Sequence, residues 1–320
     1  MDFSAFEYFI DANKRLYFIY ILSSMLIAMG YLMLNKKEAR VVLSSKLWLH
    51  ESAKLDYIYF IVNVYIKIFL IFPLVIGAKE VTMWVYKICI QNFGYVSFDW
   101  SYEAVLVCYT LALFIVSDFS RYWVHRWLHT IPILWEFHKV HHSAKVLTPF
   151  TFYRVHPVEN LLFGLRYALS IGAVTGLFFY WFGARLDIYT VFGVNIVVFV
   201  FNLLGSNLRH THVKLKYFKA VEKWLVSPYM HQIHHSKKHF DKNYGGYLSL
   251  WDRVFGSVKY SQEVKYLKFG LRKEQMASYS TLQGLLFFPF ANLLKKRRIS
   301  EKFKSFSRIF VSDKCDSCAR

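Results

Sequence analysis

Residues 118–142 read DFSRYWVHRWLHTIPILWEFHKVHH, and residues 227–236 read SPYMHQIHHS. They contain one HxxxH box and two HxxHH boxes. Because an α-helix turns about 100° per residue, positions i, i+3 and i+4 project from one face. The boxes therefore predict short helical faces that direct their imidazoles toward a common point. The eight box residues are His125, His129, His138, His141, His142, His231, His234 and His235.

This many ring nitrogens is enough for two metal ions rather than one. Imidazole-rich sites suit iron, copper, zinc or nickel. The HExxH motif of zinc proteases is absent, and the apolar stretches contain no histidine pair for a heme. Soluble di-iron proteins use glutamates, which are sparse here. An almost all-histidine site for two irons on a membrane protein fits these observations best.

The composition places the chain in a membrane. Its 320 residues are 55% hydrophobic, which exceeds an ordinary soluble domain and excludes disorder, and four cysteines are too few for a disulfide scaffold. About 20 apolar residues cross a bilayer as a helix. We predict an all-α integral membrane protein with about five transmembrane helices and a cytosolic helical cap that carries a histidine-rich di-metal site. The expected spans are 17–34, 57–78, 100–117, 167–184 and 188–208.

Positive charge indicates the orientation. The segment 35–56 is basic, and 23 of the 40 Lys and Arg residues follow residue 208, so both regions are expected on the cytoplasmic side. The N-terminus and residues 79–99 are then outside. Residues 118–166 share a side with the C-terminal region, which places the boxes on the cytoplasmic face. We assign the net charge of +19 to contact with anionic lipid headgroups rather than nucleic acid.

The chain shows no internal repeat and is treated as a single domain, 1–320. Within it, residues 1–99 form N-terminal membrane helices, residues 100–260 contain the boxes, and residues 261–320 form a basic cytosolic C-terminal region. The apolar run 285–294, followed by KKRR, predicts an interfacial helix in that last region.

The box sequences carry a family resemblance. RYWVHRWLH, LWEFHKVHH, HPVE at 156–159, and SPYMHQIHHS followed by DKNYGGYLSLWDRVFG resemble the sterol desaturase/fatty acid hydroxylase superfamily. The likeness is to its bacterial-type members and, more distantly, to alkylglycerol monooxygenases. It covers about residues 100–260, so that segment resembles the catalytic core of a fatty acid hydroxylase.

The resemblance implies a non-heme di-iron site that uses O₂ and external electrons to hydroxylate a C–H bond of a lipid, either an acyl chain, an alkyl chain or a sterol. It adds His210 to the eight box histidines as a ligand, with His212 as the substitute. No cytochrome b5 domain, flavin fingerprint or ferredoxin cysteine set is present, so a separate donor is expected: a cytochrome b5-like protein, a ferredoxin or a reductase. The membrane would be the inner membrane in a bacterium or the endoplasmic reticulum in a eukaryote.

Four further residues are candidates near the metals. His156 and His212 are either ligands or structural residues. Glu159 and Asp252 are expected to hydrogen-bond the outer nitrogens of ligating histidines. For Asp252 an ion pair with Arg253 or a helix cap is the alternative.

Other functions remain open at this point. A lipid or sterol desaturase would use the same site. A metal-dependent lipid hydrolase or isomerase, or a metal transporter, would use the same histidines differently. Transporters place their ligands within the spans, and these spans hold only Lys67 and Glu103.

Overall fold

Most of the described chain is helical. The computed structural model describes residues 5–183, 186–188, 190–191 and 194–296. The helices used below are α1 (Phe18–Leu34), α2 (Glu51–Ile66), α3 (Ala78–Phe93), α4 (Tyr102–Thr130), α5 (Pro132–His142), α6 (Pro157–Phe182), α7 (Ile196–Leu203), α8 (Pro228–His234), α9 (Leu250–Val254) and α10 (282–296).

Shorter elements connect these helices. Single α-helical turns or slightly longer pieces lie at Glu7–Ile10, Lys36–Val42, Ser45–Trp48, Lys219–Glu222 and Lys273–Met276. The 3-10 turns are Phe72–Leu74, Pro149–Tyr153, Ser206–His210, Ser261–Glu263 and Ala277–Tyr279, and Lys67–Ile71 is π-helical. Two strands, β1 (Thr190–Val191) and β2 (Val194–Asn195), pair antiparallel.

Three helical segments of the described chain are long and apolar enough to cross a membrane. They are Glu51–Phe93, Tyr102–Thr130 and Pro157–Phe182, and the apolar helix α1 is shorter, at 17 residues. The predicted class, an all-α membrane protein, is confirmed. The predicted spans 57–78, 100–117 and 167–184 fall on these three segments to within two residues at their ends, and residue 184 lies outside the described residues.

Most of the segment 79–99, which the sequence places outside the membrane, is helical, and its side of the membrane stays a prediction. Residues Ala78–Phe93 form α3, which continues the helical segment that begins at Glu51. Lys79 and Glu80 end the uncharged run in the sequence, but a helix needs only one apolar face to pack. Val81 and Val85 supply that face, since both lie against α6.

Helices α3 and α6 pack with almost no space between their backbones. A Cβ built on Gly172 would lie 2.5 Å from the Cβ of Val81, and one on Gly176 would lie 2.8 Å from the carbonyl oxygen of Thr82. Small residues four apart on one helix permit this close approach, which membrane helices use in place of a hydrophobic driving force.

The fifth predicted span, 188–208, does not form one continuous helix. Within its described residues lie the two short strands, the eight-residue helix α7 and a 3-10 turn; residues 189, 192 and 193 are outside the description. Asn195 starts α7 by accepting a hydrogen bond from Val197 N, while its amide donates to the Thr110 carbonyl. Gly205, with φ of +85°, follows the end of the helix. Non-helical backbone is tolerated inside a membrane protein where it lines a cavity, and Ile188, Val194 and Asn195 do so.

A buried arginine ties the box-bearing part of the chain to the N-terminal helices. Arg154 is 1% exposed, and its NH1 group donates to Asp56 Oδ1 of α2 at 2.8 Å. Its Nε donates to the Val140 carbonyl of α5, and its NH2 group to the Tyr279 carbonyl. These contacts hold three separate segments in one rigid unit at the end of α5.

Replacing Gly172 by leucine is expected to destabilise the protein through the α3–α6 contact. The side chain has no space beside Val81, and overpacking of this kind costs about 1–3 kcal/mol. The thermal unfolding midpoint of the detergent-purified protein should fall. Gly30→Leu is the matched control, because nothing lies within 4 Å of a Cβ at Gly30. An equal loss of stability in both variants would contradict the packing argument.

Candidate metal centre

Nine buried or half-buried histidines converge in the described chain as two groups. Within each group, one ligating atom from every residue lies within 4.8 Å of all the others. The first group is His125, His129, His138, His142 and His234, and the second is His141, His210, His231 and His235. The structure therefore brings together all eight box histidines and His210.

The helical spacing of the boxes explains how two groups arise. His125 and His129 lie one turn apart on α4, and both face the first group. In each HxxHH box the last two histidines are adjacent, so their side chains diverge by about 100°. His142 therefore joins the first group while His141 joins the second. The third box, at the end of α8, divides in the same way: His234 joins the first group, and His231 and His235 join the second.

In the second group four Nε2 atoms face one another. His210 Nε2 lies 3.0 Å from that of His235, 3.1 Å from that of His231 and 3.4 Å from that of His141. A neutral imidazole carries only one ring proton, so four Nε2 atoms that face one another cannot all be satisfied by hydrogen bonds among themselves. A single cation at the centre would satisfy all four lone pairs at once.

The first group leaves even more nitrogens without a partner. Both ring nitrogens of His129 and of His142, and Nε2 of His138 and His234, are buried and lack a hydrogen bond among the described residues. Each unsatisfied buried polar atom costs about 1–3 kcal/mol. Neutral imidazole nitrogens are metal ligands. The residues present therefore fit a metal ion in each group.

Burial also sets the protonation of these rings. It lowers the pKa of His138 to about 3, and it lowers the pKa of His142, His210 and His234 well below the usual value. Neighbouring histidines add to the shifts of the last three. At neutral pH these rings are uncharged, which is the form that coordinates a metal.

Hydrogen bonds to the outer ring nitrogens orient the first group. Nδ1 of His138 lies 2.9 Å from Glu159 Oε2, as the sequence predicted for this carboxylate. Nδ1 of His125 donates to the Tyr244 carbonyl, and Nδ1 of His234 donates to the Lys242 carbonyl, both at 2.7 Å. The two carbonyl acceptors assign the proton of His125 and of His234 to Nδ1 and leave Nε2 free to face the group centre.

Asp252 is predicted to hydrogen-bond a histidine directly, but it acts on the site through a backbone loop. Among the described residues it hydrogen-bonds no histidine and forms no ion pair with Arg253. Its two carboxylate oxygens accept from Tyr244 N and Gly245 N, both at 2.8 Å, and Oδ1 also accepts from Ser257 Oγ. Asp252 thereby fixes the loop whose Tyr244 carbonyl holds His125. Gly245 is required here, since a Cβ would lie 2.8 Å from Asp252 Oδ2.

His212 and His156 lie outside both groups. His212 Nε2 accepts from Leu147 N at 3.1 Å, and its ring packs on Phe269. His156 caps α6, because its Nδ1 accepts from Val158 N, and its Nε2 donates to the Leu286 carbonyl. The geometry assigns both to structural roles and places His210, not His212, among the converging rings.

Asp118 is a positioning residue that sequence reasoning left without a role. Its oxygens accept from Tyr247 N at 2.8 Å, and from Leu248 N and Trp251 Nε1 at 3.0 Å. It thus joins α4 to the loop held by Asp252. The available signal was a carboxylate two turns before His125, at the end of the apolar run of this helix.

Residues 110–257, which contain every histidine of both groups, match the fatty acid hydroxylase family model. This segment is therefore similar to that family. Among curated proteins, the chain is similar to human alkylglycerol monooxygenase, with 32% identity over 47% of this chain and 30% of the relative. Human lathosterol oxidase is 29% identical over 48% of this chain and 46% of its own length.

A third relative, the Delta(7)-sterol 5(6)-desaturase of Eremothecium gossypii, is 30% identical over 46% of this chain and 37% of its own. The chain spans less than half the length of these relatives. No solved structure matches it. The resemblance inferred from the boxes is confirmed for this segment.

A cavity of about 230 Å³ adjoins the histidines of both groups. We call it the inner chamber. It is lined by His125, His138 and His141, by Glu159, and by the aromatic rings of Phe152 and Tyr153. A substrate in this chamber would therefore contact the rings that face both group centres.

Removing His210 is expected to empty the second group. His210→Ala deletes the nitrogen on which the other three converge, so the metal content should fall from about two ions per chain to about one. His212→Ala is the matched control and should keep both ions. Elemental analysis of the detergent-purified variants measures this. Equal metal loss in the two variants would contradict the assignment.

Glu159→Gln keeps the size of the side chain and replaces the carboxyl group that holds His138 by an amide. We expect the affinity for the first metal ion to fall about 10- to 100-fold, as for other partners of ligating histidines. Competition with a chelator measures it. Glu263→Gln, at an exposed pair with Lys259, should leave the affinity unchanged. An unaltered affinity in Glu159→Gln would show that Glu159 does not support the site.

Proposed function

We propose that this chain is a membrane-bound oxidoreductase: a non-heme di-iron oxygenase that hydroxylates a C–H bond of a lipid with O₂ and external electrons. The observation that carries the proposal is the pair of adjacent all-histidine groups in the hydroxylase segment. The names of the similar proteins, a monooxygenase, an oxidase and a desaturase, support the same class of chemistry.

The nine histidines would hold two irons, which supply the activation of O₂ when bound. The chain's own residues do the rest. Glu159 and the carbonyls of Tyr244 and Lys242 keep Nε2 of three ligands pointed inward. The rings of Phe152, Tyr153 and Phe163 wall the inner chamber, exclude water and fix one carbon of the substrate near the metals.

Electrons would enter from a separate protein, such as a cytochrome b5-like protein, a ferredoxin or a reductase. A second cavity, of about 200 Å³, reaches His142 and His235 and is lined by Lys139, Lys237 and Arg272. Trp135 and Phe240 also line it and stack with ring centroids 5.1 Å apart. Basic residues beside stacked aromatics suit the approach of an acidic electron-transfer protein.

The location also belongs to the proposal. The box helices and the C-terminal cap would lie on the cytoplasmic face, in the inner membrane of a bacterium or the endoplasmic reticulum of a eukaryote. The division of the single domain into the regions 1–99, 100–260 and 261–320 remains a prediction. The predicted interfacial run lies in α10, whose Asn292 donates to Glu136 at 2.8 Å. Residues 297–320 lie outside the described residues.

Desaturation is the second candidate, because one of the similar proteins is named as a sterol desaturase. Both reactions begin with removal of a hydrogen atom, and they differ in the fate of the resulting carbon radical. Hydroxylation is the first choice because the matched family is described as fatty acid hydroxylase.

The test uses full-length protein expressed with iron and purified in detergent. Mössbauer spectroscopy and elemental analysis should find about two irons per chain, which fall to about one in His138→Ala and in His234→Ala and stay at about two in His212→Ala. Host lipids should gain one oxygen atom under O₂ with a reductant; loss of two hydrogen atoms would establish the desaturase. Zinc with activity independent of O₂ would replace the proposal with a hydrolase or isomerase. Metal movement across vesicles without lipid change would replace it with a transporter.

A further inference from the structure

A larger cavity adjoins the inner chamber and lies between the membrane helices. This outer chamber has a volume of about 400 Å³. The two chambers share six lining residues, and we call the boundary that these residues form the passage: Tyr8, Lys67, Arg121, Phe152, Tyr153 and Arg166. A molecule that crosses this boundary would reach the histidines from the outer chamber.

Positive charge dominates the outer chamber. Lys14, Arg15, Lys67, Arg121 and Arg166 line it, and no described carboxylate does. The inner chamber has one acidic lining residue, Glu159, which is already bound to His138. Five cations thus surround a volume that no described acidic side chain enters.

Most of these cations have no ionic partner. In the described chain only Lys14 forms an ion pair, with Asp11 at 3.6 Å. Arg121 lies over the Phe163 ring, and Arg15 lies over the Phe152 ring. The nearest acidic neighbour of Arg121 on α4 is Asp118, whose carboxylate already accepts three hydrogen bonds from the loop 247–251.

Arg166 has a fixed direction. Its NH1 group donates to the Ser117 carbonyl at 2.7 Å and to the hydroxyls of Ser117 and Ser120. Its Nε is buried and has no hydrogen-bond partner among the described residues. The guanidinium is therefore held rigidly while one of its donors is left for a ligand.

Crowded cations in a partly dry space repel one another. Burial lowers the pKa of Arg15, and the charge of Arg121 adds to that shift. A bound anion removes this repulsion and receives charge-assisted hydrogen bonds. The chamber lining also includes apolar residues, among them Leu113, Ile171 and Val198, so the complementary ligand is an amphiphile.

We propose that the substrate is a phosphate-bearing lipid, whose phosphate binds Lys67, Arg121 and Arg166 at the passage between the two chambers. This inference rests on the proposed lipid oxidation at the histidines. Phosphate fits better than carboxylate because one carboxylate carries a single charge, whereas a phosphate monoester carries up to two and offers three acceptor oxygens. It is the better match for three converging cations.

The passage also limits where the lipid is oxidised. Lys67, Arg121 and Arg166 line the same inner chamber as His125, His138 and His141. Because these cations and the histidines border one chamber, the oxidised carbon lies near the headgroup end of the lipid rather than at the far end of its chain.

The experiment measures binding to the full chain, purified without metal in a neutral detergent. Native mass spectrometry gives the dissociation constants of three single-chain probes: oleoyl lysophosphatidic acid, oleic acid and mono-oleoyl glycerol. We expect the phosphate lipid to bind at least tenfold more tightly than the neutral one. Lys67→Gln and Arg121→Gln should each weaken that binding about tenfold and leave the neutral probe unaffected, since each removes one charge-assisted contact.

Two controls separate the site from general effects. Arg40→Gln removes an exposed charge from the helix Lys36–Val42 and should bind all three probes like the unaltered protein. Arg166→Lys keeps the charge and should weaken phosphate binding less than Arg166→Gln. Unfolding midpoints of all variants are measured alongside, so that a loss of fold is recognised. The Lys67→Gln variant decides between the outcomes, because the Lys67 side chain forms no structural hydrogen bond in the described chain.

The outcomes are distinct. Equal affinity for all three probes, or equal weakening by Arg40→Gln, overturns the proposal, and tighter binding of oleic acid replaces phosphate by carboxylate. Because the protein is metal-free, binding is independent of oxidation. Selective phosphate binding without lipid oxidation in the iron-loaded enzyme would refute the proposed function alone. Oxidation of a neutral lipid without phosphate binding would refute this inference alone.

Discussion

A buried imidazole nitrogen without a hydrogen bond costs free energy, and eight such nitrogens lie in the two histidine groups of the described chain. Folding this chain without metal therefore means holding many unsatisfied lone pairs away from water. The rest of the structure accommodates that cost. Helices α4, α5 and α8 present the rings, and a surrounding frame of buried polar bonds prevents them from turning outward.

Three acidic residues carry much of this frame, and only one touches a histidine. Glu159 contacts His138 directly. Asp118 and Asp252 instead hold opposite ends of the loop 244–251, whose Tyr244 carbonyl receives His125. Arg154 connects α5 to α2 and supplies the carbonyl nearest to His141 Nδ1, at 3.3 Å. The orientation of the rings thus depends on backbone carbonyls that buried side chains hold in place.

The sequence was most informative where one physical rule acts alone. Helical spacing identified the eight box histidines, and apolar length identified three of the membrane segments. It failed where packing decides. Nothing in 188–208 shows that the backbone there lines a cavity, and the charges at Lys79 and Glu80 hid the apolar face of α3. His156 and His212 have the same residue type as the converging rings, and only tertiary contacts assign them elsewhere.

The divided HxxHH boxes make the two groups inseparable. Helix α5 gives His138 and His142 to one group and His141 to the other, and the third box is shared as well. A rotation of α5 about its axis that improves one group must therefore displace a ring of the other. The two centres are therefore mechanically coupled. A substitution that moves or removes one centre also disturbs α5, on which the other centre depends.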